Sequence, residues 1–597
     1  MARLLRPRRA LLLVALVYVV TLVLLPREGF WVVDNGSKYL QVRAALGSGG
    51  TSVAIDWPGR ELDPGLELNP IPFPYSIVQE GEIHYVSPPA FALASALPYR
   101  LLGTTGLYLL PLASALALLA GVAALGRHLG LGPRARAGAI LLAGLATPVW
   151  FYAVSFWEHA VAASLCVWAV AHGFAYAAGA RAGAPRTGRL AASAALVALG
   201  IAFRTDLYLL LPVLLLVVVA RLPRGRRLEA AVRFTGAALL ALLPVWLLNR
   251  AYTGAPMGIH GTSVLAYGEG LSGHLRERGR VLWNLFVASH WRAGLSVVLA
   301  LPFLALLVAD PALQPARFRR ALPWVALVAA ASALVTLSGY WTSPHGPLWQ
   351  LLHANGLFAA APVLALALLR PRGAPGQREQ RWLWVLVLAY GALYALAAPV
   401  LSTAGIHWGA RFLLLVYPLL ALLAAANLSA WLAERESRRA GGAAALALLV
   451  LLSVVAQLWS IDLLRRAQGF SERFTAAVAR RPERVVVSRS WRIGQELARV
   501  FDRKQIFFLR DDEDWRSLRA RLASAGVGRV LWVDSAYGPP RRQHGEPSEL
   551  VGDGGLGLYA VRITSTPLTP PRPPAAVTRP PAGAARPASP PAPASPR

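Results

Sequence analysis

Residues 10–26 read ALLLVALVYVVTLVLLP, and residues 30–46 read FWVVDNGSKYLQVRAAL. The first run is uncharged and close to the ~20 apolar residues that cross a hydrocarbon core. The second sets Asp34, Asn35 and Lys38 within a few residues of that run's end, with Arg43 beyond. A carboxylate so near a bilayer costs desolvation unless it meets water or a partner. The two runs together read as a membrane-spanning helix that opens at once onto a polar, working edge.

Further apolar segments occupy 105–126, 137–153, 160–180, 190–203, 207–220, 231–249, 293–309, 321–338, 354–369, 382–400, 412–432 and 441–459. With the first run they make thirteen candidate spans in a chain of 597 residues. The chain is 56% hydrophobic with a mean hydropathy of +0.47, so the expected fold class is an all-α polytopic membrane protein. The shorter PPAFALASALPYRLLG (88–103) is interrupted by proline and reads as an interfacial or re-entrant helix. The first run is expected to stay as an anchor, because VLLPREGFW offers no small-x-small cleavage site.

A net charge of +30 first suggests nucleic acid, but the position of the charges argues otherwise. The tail MARLLRPRR and segments 127–136, 181–189, 221–233, 310–320, 370–381 and 433–440 together hold 25 Arg and no Lys. The alternate segments before residue 460 are longer in total and hold only 12 Lys plus Arg. That asymmetry is the positive-inside pattern, with a cytoplasmic N-terminus and an extracytoplasmic C-terminus in a cell membrane. The scattered arginines do not form one basic face, so no nucleic-acid partner is expected. Lysine is nearly absent (Lys38 and Lys504 alone) beside abundant Arg, Ala, Gly and Pro, a composition associated with GC-rich bacterial genomes. The single cysteine, Cys166, falls inside a span, which excludes a disulfide framework.

The transmembrane domain is expected over 1–460, with an outer loop at 27–104, followed by a small α/β domain over 461–563. In that second domain ERVVVS, QIFFL, GRVLWVD and LGLYAVRI read as strands, with helices over 491–501 and 512–526, which predicts a mostly parallel sheet. The tail 564–597 is too rich in Pro and Ala to bury a core and is expected to be disordered.

Polar residues gather on the side predicted to face out. His84, His159, His260, His274, His290, His345, His353 and His407 lie in or beside those segments. Asp34, Asp56, Glu80, Glu82, Glu158 and Asp206 lie there too. Asp34 has two readings: a helix cap for GSKYLQVRAAL, or a base or cation ligand in a cavity. TPVWFYAVSFWEHA (147–160) sets Glu158 and His159 among five aromatics, which suits either a cation or acceptor site or an ordinary interfacial belt. AFRTDLYLLLP (202–212) joins two spans of about fourteen residues, or ~21 Å, so Arg204 and Asp206 are expected below the membrane plane, paired or gripping an anion. GIHWGARFLLLVYPLL (405–420) offers His407 and Arg411, whose guanidinium either snorkels or holds a phosphate.

The order of these pieces resembles the GT-C superfamily of integral-membrane glycosyltransferases, in particular relatives of protein O-mannosyltransferases and of the lipid A aminoarabinose transferase. The similar segments are VVDNGSKYLQVRAAL, GEIHYVSPP, TPVWFYAVSFWEH, FRTDLYLLLP, NRAYTGAPMG and HWGARF, in that order over about residues 10–430. The resemblance implies transfer of a sugar from a polyprenyl-phosphate donor to an extracytoplasmic acceptor, with Asp34 in the catalytic position. Arg204, Arg411, Lys38 and His407 become candidates for the donor phosphate; Glu158, His159, Glu82 and His84 become candidates for the acceptor or a cation. A divalent ion such as Mg or Mn is a candidate cofactor, and membrane lipid a partner. Two positions depart from the family's pattern: Asn35 stands where an acidic residue often follows the Asp, and Ser87 where one branch carries a lysine before Pro-Pro. The rival reading is a transporter or lipid flippase without bond chemistry, for which internal repeats would be expected and none is found. A third is a non-catalytic scaffold with a sensory outer domain.

Overall fold

The first apolar run folds as helix α1, Pro7–Leu24, with proline in the opening turn, where its missing N–H leaves no bond unmade. Val14, Tyr18 and Leu22 are buried while Leu12, Leu16 and Leu24 are exposed, so one face packs on protein and the other suits acyl chains. In this computed structural model residues 6–259, 275–286, 356–369, 376–398, 407–433, 440–535, 548–552 and 560–568 are described. Candidate spans 293–309 and 321–338 lie outside them.

After α1 come α2 (Val33–Gly47), α3 (Pro89–Leu102), α4 (Thr104–Leu107), α5 (Leu109–His128), α6 (Pro133–Leu145) and α7 (Val149–Ala153). Then follow α8 (His159–Arg181), α9 (Thr187–Ile201), α10 (Leu210–Ala220), α11 (Arg227–Thr253), α12 (Arg278–Phe286) and α13 (Leu357–Ala360). Helices α14 (Gln377–Ala397), α15 (Val416–Ala433) and α16 (Ala440–Ala479) complete the helical part. Among the described residues seven helices are long and apolar enough to cross a membrane, and two shorter apolar ones, Thr187–Ile201 and Thr205–Ala220, accompany them.

Two expected spans are broken instead of continuous, and proline explains both. Residues 137–153 divide at Pro148 into α6 and α7. Residues 354–369 divide at Pro362 into the single turn α13 and a 3₁₀ segment, Pro362–Leu368. Backbone groups freed in an apolar setting must find partners. Asn427 Nδ2 donates to the carbonyls of Leu366, Ala367 and Leu369 at 3.0, 3.0 and 2.6 Å. Gln457 Nε2 reaches Ala360 O at 2.7 Å, and Ser453 Oγ accepts from Val363 N at 2.8 Å. Periodicity could not reveal these supports, because they come from distant helices.

The segments expected together on the basic side do meet. Arg181 Nη2 lies 2.6 Å from Glu379 Oε1, and the buried Arg221 pairs with the same carboxylate. Gly376 crosses the Leu129 carbonyl so closely that a Cβ there would stand 2.0 Å from it.

The chain leaves the helical region through α16, which runs 40 residues without a break across residue 461. Strands β1 (Ser76–Gln79) and β2 (Glu82–Tyr85) form an antiparallel hairpin in the outer loop. The terminal domain contains β3 (Val485–Ser488), α17 (Trp491–Glu496), β4 (Gln505–Phe508), α18 (Asp512–Ser524), β5 (Arg529–Ser535), β6 (Ser548–Gly552) and β7 (Ala560–Pro567). Strand order is β4-β3-β5-β7-β6. The β3 pairings with β4 and β5 are parallel, while β5–β7 and β6–β7 are antiparallel, so the sheet is mixed and not mostly parallel. Two features make the difference: β7, which runs to Pro567, returns antiparallel beside β5, and the unexpected strand β6 adds a further antiparallel edge.

This domain sits on the outer loop. Trp57 Nε1 donates to Ile506 O at 3.0 Å, Phe508 N to Leu68 O at 3.0 Å, and Arg521 pairs with the buried Asp63 at 2.7 Å. It also touches α2, where Gly36 faces Gln495 O at a distance that would leave a Cβ only 1.9 Å from that oxygen.

Candidate active site

Helix α2 begins at Val33, so Val32 is its N-cap and Asp34 lies inside the first turn. The cap reading of Asp34 therefore does not describe this helix start. Asn35 does the local work: its Oδ1 accepts from Val32 N at 3.3 Å and its Nδ2 donates to Phe156 O at 2.6 Å. These bonds tie α2 to the loop between α7 and α8. They leave Asp34 turned toward Arg411, with Oδ2 and Nη1 3.6 Å apart. The Asp34 side chain keeps 25% of its surface, enough for a small group to reach it.

One turn along α2, Lys38 lies on the same face (i, i+4). Its Nζ is 3.1 Å from Glu158 Oε2, and both side chains are buried. Glu158 also meets Arg204 Nη1 at 3.3 Å through its other oxygen. Arg204 in turn reaches Asp206 Oδ1 at 2.8 Å and His159 Nε2 at 2.8 Å. Arginine has no acceptor, so Nε2 is the accepting nitrogen of His159 in this arrangement. Arg204 is thus paired as its place at the hairpin suggested. Three carboxylates and three cations, from α2, the α7–α8 loop, the turn before α10 and the segment before α15, form two ion-paired sets, Asp34–Arg411 and Lys38–Glu158–Arg204–Asp206, that share aromatic neighbours.

Aromatic rings line it. Trp150, Phe151, Tyr152, Phe156 and Trp157 are all buried, so the cluster that could have been an interfacial belt is packed inside the protein. Arg411 Cζ lies 5.0 Å from the Trp157 ring centre and 4.7 Å from that of Phe412. Arg204 Cζ lies 4.7 Å from the Phe412 centre, and Lys38 Nζ 5.6 Å from that of Trp157.

The loop that presents Arg411 is locked from three sides. Tyr152 Oη donates to Trp408 O at 3.0 Å, Tyr417 Oη accepts from Ala410 N at 2.8 Å, and Trp408 Nε1 donates to Gln457 Oε1 at 3.0 Å. Gly409 has φ of +62°, and a Cβ there would meet the Tyr417 hydroxyl and Pro148 at 2.6 Å, which explains the glycine in HWGARF. His407 is buried, with Nδ1 2.8 Å from Gly409 O in its own loop, so it shapes the loop.

Glu82 and His84 stand apart. They face each other at 3.6 Å on β2, and among the described residues neither makes an ion pair or hydrogen bond with the cluster. Burial pushes the His84 imidazole below its ordinary value, while Glu82 and Glu80 pull it back up. Strand alternation turns the next residue inward instead. Tyr85 is buried, and burial raises its hydroxyl well above the ordinary value, with Asp34 and Glu158 adding to the rise and Ser87 and Arg411 opposing it. Tyr85 and Trp157 stood in the motifs GEIHYVSPP and TPVWFYAVSFWEH but were not candidate site residues, and Phe412 was not singled out at all. For Tyr85 the period-two alternation of GEIHY was the signal that could have found it. His260, His274, His290, His345, His353 and His544 lie outside the described residues.

No three of His, Cys, Asp and Glu converge on a metal-sized space among the described residues. Asp34, Glu158 and Asp206 each already face a guanidinium or ammonium, so the donor set as it stands does not fit a divalent ion. Two surface clefts, of about 470 and 580 Å³, lie elsewhere, one beside Glu483 and Arg529 and one beside Arg27 and Thr105.

No family model matches this chain, and no curated protein matches it. Among solved structures it is similar to ArnT from Cupriavidus metallidurans bound to undecaprenyl phosphate, with a TM-score of 0.47 and 14% identity over 93% of this chain and 97% of that one. It is also similar to the Archaeoglobus fulgidus oligosaccharyltransferase complex with zinc and sulfate, with a TM-score of 0.46 and 13% identity over 88% of this chain and 67% of that one. A third is archaeal AglB from the same organism with an inhibitory peptide and a dolichol-phosphate, with a TM-score of 0.46 and 10% identity over 88% and 69%.

Proposed function

We propose that this chain is a membrane glycosyltransferase that moves a sugar from a polyprenyl-phosphate donor to an acceptor outside the cytoplasm. The observation that carries the reading is the meeting of Asp34 with Arg411, beside Lys38, Glu158 and Arg204, at the end of the helices opposite the arginine-rich loops. The six ordered segments that resemble GT-C enzymes support it from the sequence side.

In the reaction the acceptor hydroxyl oxygen bonds to the sugar's anomeric carbon as the bond from that carbon to the phosphate oxygen breaks. The acceptor proton passes to Asp34, and the lipid phosphate keeps the bonding electrons. General-base assistance of this kind contributes ~10²–10⁴-fold. Charge builds on the leaving phosphate, where preplaced donors are most effective. Arg411 suits that role because its planar fork matches a phosphate edge. Lys38 and Arg204 are more firmly bound to Glu158 and hold the field and shape of the site. The acceptor is a cell-envelope glycan, lipid or protein. The domain limits near 460 and 563 and the cytoplasmic N-terminus belong to the same reading.

A transporter would need charged groups along a path reaching both faces. Among the described residues the site's carboxylates and cations gather near one end, and no ion pair links them to Arg181, Arg221 and Glu379 at the other, which favours bond chemistry. Detergent-purified full-length protein is tested with a polyprenyl-phosphate sugar carrying a labelled sugar, alongside mass spectrometry of envelope glycans with and without the gene. The expected result is sugar-dependent release of polyprenyl phosphate and loss of one glycan modification in the deletion. Lipid movement between leaflets without any release of polyprenyl phosphate would point to the flippase instead.

A further inference from the structure

Each cation of the cluster is held in a different way. Lys38 contacts a buried carboxylate at 3.1 Å, and Arg204 contacts Asp206 at 2.8 Å and Glu158 at 3.3 Å. Arg411 has the longest carboxylate contact of the three, 3.6 Å to Asp34, and its Nε has no hydrogen-bond partner among the described residues. It is nonetheless largely buried and does not extend along its helix end toward water, as a snorkelling arginine would. What it does have is two rings, Trp157 at 5.0 Å and Phe412 at 4.7 Å.

An aromatic face attracts a guanidinium through the ring quadrupole. A carboxylate holds the same group by occupying its N–H donors, which all lie in one plane. The two modes differ in what they leave over. A guanidinium held by rings keeps its donors for an incoming anion; one held by a bidentate carboxylate has to be stripped of its partner first.

The rings themselves are fixed. Phe412 stacks on Tyr394 with centroids 5.9 Å apart, and Trp157 packs against Tyr152 at 5.8 Å and His159 at 4.9 Å. The same two rings also touch the neighbouring cations, so Lys38, Trp157, Arg411, Phe412 and Arg204 form an alternating row. Three positive side chains would otherwise repel one another. The row spaces them at ring width.

We propose that Trp157 and Phe412 are positioning residues for the donor: they hold Arg411 by ring contact so that its N–H donors remain open to the lipid phosphate. This rests on the phosphate-donor reading above. In this role both rings act on the phosphate through Arg411.

The test changes the ring's charge distribution without changing its shape. Phenylalanine at 412 is replaced in the full-length protein by mono-, tri- and pentafluorinated phenylalanine through stop-codon suppression. Binding of farnesyl phosphate is then followed by calorimetry. Affinity should fall stepwise with fluorine number, to about tenfold below the parent at full fluorination, the loss of a cation–π contact of moderate burial. Phe412→Tyr should bind as the parent does. In an Arg411→Ala background the slope should shrink to what the remaining Phe412–Arg204 contact sustains. With the sugar-bearing donor, KM should rise while kcat holds within a few-fold. A flat series in the parent, or an equal slope with Arg411 absent, overturns the positioning role and leaves the phosphate-donor reading intact. No binding of farnesyl phosphate by the unmodified protein overturns that reading itself, and the positioning role with it.

Discussion

The hydroxyl of Ser37 donates to Oε1 of Gln495 at 2.9 Å, joining residues 458 positions apart. Ser37 lies on α2 beside Lys38, and Gln495 lies on α17 of the terminal domain. The helix that carries Asp34 is therefore clamped from outside by the last domain of the chain and from inside by Asn35 on Phe156. Its two sides are fixed by opposite ends of the sequence.

Asp34→Asn keeps the side-chain size but removes the proton acceptor. Turnover should fall ~10²–10⁴-fold, with the melting temperature and donor binding close to the parent, because Asp34 does not cap α2. Activity within a few-fold of the parent would exclude Asp34 as the base and shift attention to Glu158.

Arg411→Lys retains charge but loses the fork and the flat faces, so donor KM should rise about tenfold or more, with Arg411→Ala worse. Steady-state kinetics with a polyprenyl-phosphate sugar check this. Unchanged donor KM in both variants would mean that Arg411 serves only Asp34.

Gly36→Ala tests the outer clamp. The added Cβ would stand 1.9 Å from the Gln495 carbonyl, a backbone atom that cannot swing away. Overpacking of this kind costs about 1–3 kcal/mol, and the variant should melt earlier and expose α17 to protease. Gly47→Ala, at the end of the same helix with nothing within 4 Å, should be neutral or slightly stabilising. Equal melting of the two variants would show that α17 does not press on α2.

Glu496 supplies a pH dependence outside the membrane. Burial pushes its carboxyl up to about 7, with Arg492 opposing. A raised folded value means that the native state holds the proton more tightly than the unfolded chain. Its contribution is therefore full below about pH 4.5 and is lost as pH rises through about 7, by about 3 kcal/mol in all. Thermal unfolding of the full-length protein between pH 5 and 8 should show this decline, and Glu496→Gln should flatten it. A parent curve no steeper than that of the variant would contradict the assignment.

The N-terminal and C-terminal sides can be mapped directly. A phosphatase fused after residue 568 should be active, and a cytoplasmic reporter there silent, if the basic loops face inward. The reverse result would make α3 a full span and invert everything after it.

Much of the helical architecture was legible because apolar length and arginine placement are local properties. Arg181, Arg221 and Glu379, from three of the arginine-rich segments, meet in one ion-paired group. The convergence of Asp34, Glu158, Arg204 and Arg411 was foreshadowed only as a set of polar residues on one side. Motif reading found those four because charge is conspicuous in an apolar chain. It listed Trp157 only as one of five aromatics and did not single out Phe412, since one more aromatic beside a membrane carries no signal until its neighbours are known. Glu82 and His84, picked out for their polarity, pair with each other on β2, whereas alternation along the strand turned Tyr85 inward. The break at Pro362 was visible as a proline, but the amides and hydroxyl that make it tolerable sit on α15 and α16.

The contact between Gly36 and Gln495 also carries a schedule. The ribosome completes all seven membrane-length helices among the described residues before it reaches residue 495, so α2 is made long before the residue that covers it. The cover arrives only when the final sheet has folded and settled onto α2. If the proposed transfer depends on that cover, a chain cut short by a premature stop would occupy the membrane without transferring sugar.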